Sequence, residues 1–157
     1  MKNRLFCLMI ALLFACPSVA KADDGDTKDP LEGLKCFMMP KRDVKGKKEM
    51  EYKGATLYLC CSTCIKRMTR TPEKYEAKAN HQLVQTAQFV QAACPIDGSA
   101  VSDASPTLEI AGAKVKFSSE DHKAKVAAME VEEQIEKIFG AEPFKKGKFA
   151  LKKKSDS

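Results

Sequence analysis

The chain has few of the residues on which most enzymes rely. Its 157 residues include only two histidines, His81 and His122. No Ser/His/Asp set, paired-carboxylate pattern or phosphate-binding loop is recognisable in the sequence. Most hydrolytic chemistries therefore lack a general base. We expect a protein that is not an enzyme.

An excess of positive charge is missing from the body of the chain, although the formal net charge is +6. Three basic residues precede Asp23 and six lysines follow Pro143, which leaves 18 basic and 20 acidic residues between these points. A nucleic-acid platform needs a basic patch, so no nucleic-acid partner is expected. The lysine-rich end, residues 141–157, is predicted to be a disordered tail that aids solubility or weakly contacts an anionic membrane surface.

Long apolar runs are absent except near the N-terminus, where Leu5–Cys16 contains no polar side chain. A basic region precedes this run, Pro17 breaks it, and residues 20–22 give the small-x-small cleavage pattern. These features predict a secretory signal peptide over residues 1–22, too short to span a membrane. We therefore expect an exported protein, either periplasmic or secreted.

A second interpretation of the leader is lipoprotein anchoring at Cys16, because Leu13–Cys16 loosely resembles a bacterial lipobox. Under simple secretion the mature chain begins at Asp23. A flexible segment, residues 23–33, is then expected to precede the first folded lobe.

Five cysteines lie beyond the leader, and an odd number cannot form a closed set of disulfides within one chain. Three of them fall within the stretch LYLCCSTC, and neighbouring cysteines such as Cys60 and Cys61 rarely bridge each other. Three or four thiolates at one point suit a transition-metal ion such as Zn²⁺ or Cu(I). The five cysteines are Cys36, Cys60, Cys61, Cys64 and Cys94.

An internal repeat becomes visible when Cys36 is aligned with Cys94 without gaps. Gly54 then falls on Gly112, and the stretch 60–64 falls on Ser118–His122. A match over about thirty residues with apolar positions in phase predicts a duplication. We expect one lobe over residues 34–79 and a second over residues 94–140.

Each copy is predicted to form a hairpin followed by a helix. Alternating apolar residues flank Gly54 and Gly112, and glycine readily takes the positive φ that a tight turn needs. In the first copy a helix starts near Ser62, and Thr71-Pro72 restarts one. The second copy is predicted to be helical from Ser118 to Gly140.

A connecting helix is expected over residues 80–93, with an apolar stripe at Leu83, Ala87 and Val90 facing the core. His81 is expected on its solvated face. The predicted fold class is α+β, with two small treble-clef-like lobes of hairpin and helix joined by a long helix.

The cysteine spacing of the first copy favours a metal site. Cys61 and Cys64 are three residues apart and share one face of a helix. Amides at a helix start lower the pKa of nearby thiols and so favour the thiolates that bind metal. Cys36 would join them from the loop that opens the lobe.

The first copy also resembles the TRASH/YHS-type heavy-metal-binding domain, over Leu34 to about Ala79. That family has an early Cys, a Tyr-x-Gly hairpin, a Phe-Cys-x-x-x-Cys motif and a later Pro-x-x-Tyr. Leu59 stands here for the usual Phe, and Met68 for the usual aromatic residue. The matching residues are Cys36, Tyr52, Gly54, Tyr58, Cys60, Cys64, Pro72 and Tyr75.

The resemblance implies heavy-metal trafficking, resistance or sensing, with Cys36, Cys60 and Cys64 as the metal thiolates. It names no single fourth ligand; we favour Cys61 over Met39, His81 and Cys94. The second copy resembles the same domain in CPIDG, Gly112 and Phe117 but lacks the cysteine cluster. Its two remaining donors, Cys94 and His122, make a poor site, so a degenerate lobe is expected.

Three functions stay open from the sequence. The leading one is an exported protein that carries, buffers or senses a thiophilic ion, Zn²⁺ or Cu(I), and works with another metal-handling protein. The second is an interaction module stapled by zinc or by a disulfide between Cys36 and either Cys60 or Cys64. The third is a thiol redox protein, because Cys61-Ser62-Thr63-Cys64 is formally a Cys-x-x-Cys motif.

Overall fold

The computed structural model describes residues 31–44 and 48–153. The predicted signal peptide, the lipobox and residues 23–30 of the predicted flexible segment lie outside these ranges. The described chain is a mixed α+β arrangement of small hairpins and short helices, which confirms the predicted α+β class. Within the described ranges, every helix is too short or too polar to cross a membrane.

Within the described residues, the strands form four separate two-stranded antiparallel sheets: in chain order, the first strand pairs with the second, the third with the fourth, the fifth with the eighth and the sixth with the seventh. A 3₁₀ helix, Pro72–Tyr75, immediately precedes the second α-helix. The elements in chain order are β1 Lys35–Cys36, β2 Met39–Asp43, β3 Lys48–Tyr52, β4 Ala55–Leu59, α1 Ser62–Arg70, α2 Glu76–Gln85, β5 Phe89–Val90, β6 Thr107–Ile110, β7 Ala113–Lys116, α3 Glu120–Ala127, α4 Val131–Phe139, α5 Ala141–Lys146 and β8 Ala150–Leu151.

Both predicted hairpins are present, and their turns have the same conformation. Lys53 and Gly54 have φ of 52° and 76°, and Ala111 and Gly112 have φ of 46° and 87°. Two successive positive φ values define the type I′ turn, whose twist matches that of the flanking strands. The residue pair next to the turn is Tyr52 with Ala55 in the first hairpin and Ile110 with Ala113 in the second, so the two hairpins have the same register.

A helix follows each hairpin, as predicted. Extended residues precede both helices, Cys61 before α1 and Ser119 before α3. Hairpin and helix thus occur in the same order at positions 58 residues apart. The duplication itself stays a prediction.

The connecting helix is shorter than predicted. α2 ends at Gln85, Ala87 takes a positive φ of 54°, and the chain then forms β5 instead of continuing as a helix to residue 93. The predicted apolar stripe is correct only at Leu83, which is buried. Ala87 and Val90 are exposed.

Polar side chains of this connecting segment make contacts to the first hairpin, whereas the sequence predicted an apolar stripe facing the core. Gln82 bonds to both the N–H and the C=O of Tyr58, at 2.8 and 2.9 Å. Gln88 does the same to Thr56, at 2.8 and 2.7 Å. Each side-chain amide therefore pairs with the open edge of β4 as the backbone of a neighbouring strand would. This pairing explains why Gln82 is only 1% exposed.

The second hairpin has an equivalent amide contact. Gln91 bonds to the N–H and the C=O of Lys116 at the end of β7, each at 2.8 Å. His81 is also buried, with Nε2 2.8 Å from the Ile110 carbonyl oxygen and its ring edge-on to Phe139. The expectation that His81 lies on a solvated face was wrong, because its ring satisfies a strand carbonyl.

One main core joins the two lobes, with α2 packed against β4, β7 and α4. The helical run predicted from Ser118 to Gly140 is interrupted at residues 128–130, which separate α3 from α4. Gly140 does follow the last residue of α4. Its role is close packing, because a Cβ there would lie 2.8 Å from the Glu136 carbonyl oxygen.

The lysine-rich end is folded through most of its length, so the prediction of a disordered tail over residues 141–157 was wrong for residues 141–151. α5 and β8 lie in it, and β8 pairs with β5. Phe144 and Phe149 are buried and stack with ring centroids 4.7 Å apart. The lysines that the structure describes here are exposed: Lys145, Lys146, Lys148, Lys152 and Lys153.

Replacing Gln82 by alanine is expected to lower the free energy of unfolding by about 2–6 kcal/mol, since the bonds from Gln82 to two backbone groups of Tyr58 are lost at roughly 1–3 kcal/mol each. The matched control is Gln85→Ala, because Gln85 makes one exposed bond to the Ala111 carbonyl. Urea titration followed by circular dichroism measures both variants. Equal losses would contradict the strand-like role of Gln82.

Candidate metal centre

Three cysteine sulfurs of the first lobe converge closely enough to bind one metal ion. The sulfurs of Cys36, Cys60 and Cys64 all lie within 4.8 Å of one another. The Cys36–Cys64 and Cys60–Cys64 separations are 4.0 and 3.8 Å. A tetrahedral thiolate site with metal–sulfur bonds of about 2.3 Å needs sulfurs roughly 3.5–4 Å apart.

Cys61 stands beside this group. Its sulfur is 3.5 Å from that of Cys64, but it does not belong to the set in which every pair lies within 4.8 Å. Its role as the fourth ligand therefore stays a prediction. The five cysteines in the described part of the chain are all free thiols.

Short elements bring these sulfurs together. β1 ends at Cys36, and Cys60 directly follows β4. Cys61 precedes the first residue of α1, and Cys64 lies in the first turn of that helix. The glutamine amides fix β4, and the residue that ends it, Leu59, packs with Cys36 at the end of β1 and with Cys64 at the start of α1.

Two of the four thiols have lowered pKa values. Burial raises the pKa of Cys36, but the backbone amides of Cys60 and Met38 donate to its sulfur and the net shift is downward. The pKa of Cys61 is lowered to about 7, chiefly by the backbone amide of Cys64. Amides at the start of α1 thus favour a thiolate at Cys61, as expected at a helix N-terminus.

The other two thiols are held in the protonated form. Burial raises the pKa of Cys64 well above its usual range, and hydrogen bonding with the Cys61 thiol adds to the shift. Burial also raises the pKa of Cys60. A metal ion must displace these protons, so thiolate coordination here weakens as the pH falls.

The sulfur group is buried on one side and open on the other. Cys36 and Cys64 are 0% and 2% exposed, whereas Cys60 and Cys61 are half-buried. With Leu59 the two buried cysteines form a small cluster of their own, separate from the main core.

The three weaker candidates for a fourth ligand, Met39, His81 and Cys94, have different surroundings. The side chain of Met39 is exposed. His81 is engaged with the Ile110 carbonyl, as described above. Cys94 belongs to a different group in the second lobe.

That second group contains a residue that the sequence reasoning missed. Donor atoms of Cys94, Asp97 and His122 all lie within 4.8 Å of one another. Cys94 and His122 occupy the positions equivalent to Cys36 and Cys64, as the repeat alignment predicts. Asp97 aligns with Met39, and this correspondence was the available signal for it.

No family model, curated protein or solved structure matches this chain. The resemblance to the TRASH/YHS-type domain therefore stays a prediction from the motif. The fold and site together describe a small α+β protein with a cysteine cluster close enough to bind a metal.

Cys61 is expected to be the first cysteine alkylated by iodoacetamide in the reduced, metal-free protein. It is partly exposed, and its rate should rise through about pH 7, where its thiolate forms. Cys60 is the internal control, because it is similarly exposed but has a raised pKa. Tandem mass spectrometry of the modified peptide assigns the site. Faster labelling of Cys60 or Cys64 would contradict the assigned ionisation order.

Proposed function

We propose that the protein is an exported thiolate metal-binding protein that carries, buffers or senses a thiophilic ion, Cu(I) or Zn²⁺, and has no enzymatic activity. The observation that supports this most is the sulfur spacing of 3.8 and 4.0 Å around Cys64, which suits a shared metal ion. Hydrogen bonds from backbone amides to the Cys36 sulfur add support, because such bonds stabilise a thiolate before the metal arrives.

Exchange of the metal is favoured over a purely structural role by where the sulfurs lie. The main core extends through both lobes without Cys36, Cys60 or Cys64. Loss of the metal should therefore leave most of the fold intact, whereas structural zinc sites in small proteins contribute the folding energy. The half-buried Cys60 and Cys61 give a partner protein access to the ion.

A thiol redox function is the second candidate, favoured by the chemistry of Cys61. This thiol has a pKa of about 7, is partly exposed and lies 3.5 Å from the Cys64 sulfur across a Cys-x-x-Cys spacing. Low-pKa thiols at helix starts are typical of disulfide exchange. A disulfide between Cys61 and Cys64 would then be the oxidised state.

Replacement of Cys64 by serine is expected to weaken Cu(I) and Zn²⁺ binding by about 100-fold or more, since removing a ligand costs more than the roughly 10–100-fold lost with outer-shell partners. Cys61→Ser should weaken binding less if Cys61 is an auxiliary ligand. The measurement is a competition titration of reduced protein against a chromophoric chelator.

The control for this titration is Thr63→Ser, an exposed change in the same turn. Equal affinity of the wild type and Cys64→Ser would contradict the metal function. A Cys61–Cys64 disulfide that forms reversibly in glutathione buffers, together with unchanged metal affinity in Cys64→Ser, would favour the redox function instead.

Cleavage after Ala22 is the expected result of export. Protein recovered from the export compartment should begin at Asp23, which intact-mass measurement and N-terminal sequencing can establish. A lipid-modified chain beginning at Cys16 would support the alternative anchoring. An uncleaved chain beginning at Met1 would contradict export by this leader.

A further inference from the structure

We propose that Cys94, Asp97 and His122 form a second metal site, which takes a borderline divalent cation of the Zn²⁺ class. This inference goes beyond the function proposed for the first cluster and does not depend on it. It also departs from the expectation that the second lobe is degenerate, because that expectation counted only two donors.

The three donor atoms already have nearly the separations that such an ion needs. The Cys94 sulfur is 3.8 Å from Nδ1 of His122, and Oδ2 of Asp97 is 3.9 Å from the same nitrogen. Bonds of about 2.3 Å to sulfur and about 2.0–2.2 Å to nitrogen and oxygen require donors roughly 3.4–3.6 Å apart in a tetrahedral site. These two pairs therefore need to close by about half an ångström or less, and the Cys94 and Asp97 donors lie within 4.8 Å of each other.

Other residues hold the Asp97 carboxylate in place. Ser99 donates from its hydroxyl to Oδ2 at 2.8 Å and from its backbone amide to Oδ1 at 3.1 Å. The Ser118 hydroxyl lies 2.9 Å from Oδ2 and 3.0 Å from Nδ1 of His122. Such outer-shell bonds to carboxylate ligands are a regular feature of metal sites.

Local backbone structure fixes the other two donors. Cys94 opens a turn in which the amide of Gly98 donates to the Cys94 carbonyl at 2.8 Å. Gly98 has a φ of 81°, which glycine adopts readily. His122 lies in the first turn of α3, where its amide donates to the Ser119 hydroxyl. The site thus joins a turn to a helix start, the arrangement found at the first sulfur cluster.

The donor chemistry selects a different ion from the first cluster. One thiolate, one carboxylate and one neutral imidazole carry two negative charges, which balance a divalent cation. Sulfur, nitrogen and oxygen donors together suit Zn²⁺, whereas Cu(I) is selected by soft sulfur ligands. We therefore expect Cu(I) to prefer the first lobe and Zn²⁺ to occupy the second.

The site has access to solvent and an open coordination position. The side chains of Asp97 and His122 are 36% and 23% exposed, although Cys94 is buried. His122 also lines a cavity of about 330 Å³ together with Lys125 and Lys137. Three protein ligands leave the fourth position of a tetrahedral ion for water or an anion.

Cobalt titration of the full chain with the first cluster disabled tests this proposal. In a Cys60→Ser, Cys64→Ser background under reducing, oxygen-free conditions, we expect one equivalent of Co²⁺ to bind. Binding should give a thiolate-to-cobalt charge-transfer band and intense tetrahedral d–d bands, and one equivalent of Zn²⁺ should remove both. Because the first cluster is disabled in this background, the Co²⁺ binding measured there reports on the second site alone.

Added to this background, Cys94→Ala should remove the charge-transfer band. Asp97→Ala and His122→Ala should each weaken Co²⁺ binding by about 100-fold or more, because losing a ligand costs more than the roughly 10–100-fold lost with an outer-shell partner. The matched control is Asp121→Asn, an exposed carboxylate next to His122 that lies outside the donor group; it should leave affinity unchanged. Circular dichroism melts check that each variant is folded. Asp97→Ala keeps the test decisive if Cys94→Ala unfolds, because Asp97 is exposed.

Two results would overturn the proposal. One is the absence of a charge-transfer band at saturating Co²⁺ in the folded background protein. The other is equal Co²⁺ affinity in the background and in its Asp97→Ala variant. In either case Cys94, Asp97 and His122 form a hydrogen-bonded network around the Ser118 hydroxyl and no metal site.

Discussion

The fold depends on the pairing of open strand edges by side-chain amides. A two-stranded hairpin leaves backbone N–H and C=O groups without a strand partner along the outer edge of each strand, and burying such groups unpaired is costly. Gln82, Gln88 and Gln91 supply that pairing, each by bonding to both the N–H and the C=O of one strand residue. One connecting segment thereby serves both hairpins and lets them share a core without forming a continuous sheet.

This pairing also explains how the cysteine cluster is positioned. β4 lies between the glutamine amides on one side and β3 on the other, so its last residue, Leu59, and the following Cys60 have fixed directions. α1 begins two residues later, and its first turn points amide groups toward the Cys61 sulfur. The lowered pKa of Cys61 thus results chiefly from the Cys64 backbone amide at the start of α1, and the raised pKa of Cys64 chiefly from its burial behind the hairpin end.

The sequence was sufficient where the signal was local. Gly54 and Gly112 between alternating apolar residues predicted both hairpins, and the close spacing of Cys60 and Cys64 predicted that their sulfurs would meet. It was insufficient where long-range packing decides. His81, between Asn80 and Gln82, was predicted to be solvated, yet all three residues are buried. Gln82 bonds to the edge of β4 at Tyr58, Asn80 donates to the Phe139 carbonyl at the end of α4, and both contacts come from distant parts of the chain.

The errors at the two ends of the second lobe have a related origin. Abundant lysines concealed Phe144 and Phe149, although two aromatic residues among lysines are a sign that one face of the tail packs. Asp97 was not singled out from the sequence; in the structure it bonds to Ser99 within a turn. Its second role appears only when α3 brings His122 back beside it, a contact 25 residues distant in sequence.

The two lobes show how one backbone arrangement can present different donor sets. In each, a residue from an opening turn meets a residue from the first turn of a helix, Cys36 with Cys64 and Cys94 with His122. At the position of Cys60 the second lobe has Ser118, whose hydroxyl contacts the ligand candidates without replacing a thiolate. Because the backbone fixes where the donors meet and the side chains fix which ion they suit, ion selectivity can diverge between the lobes while the packing of the core stays unchanged.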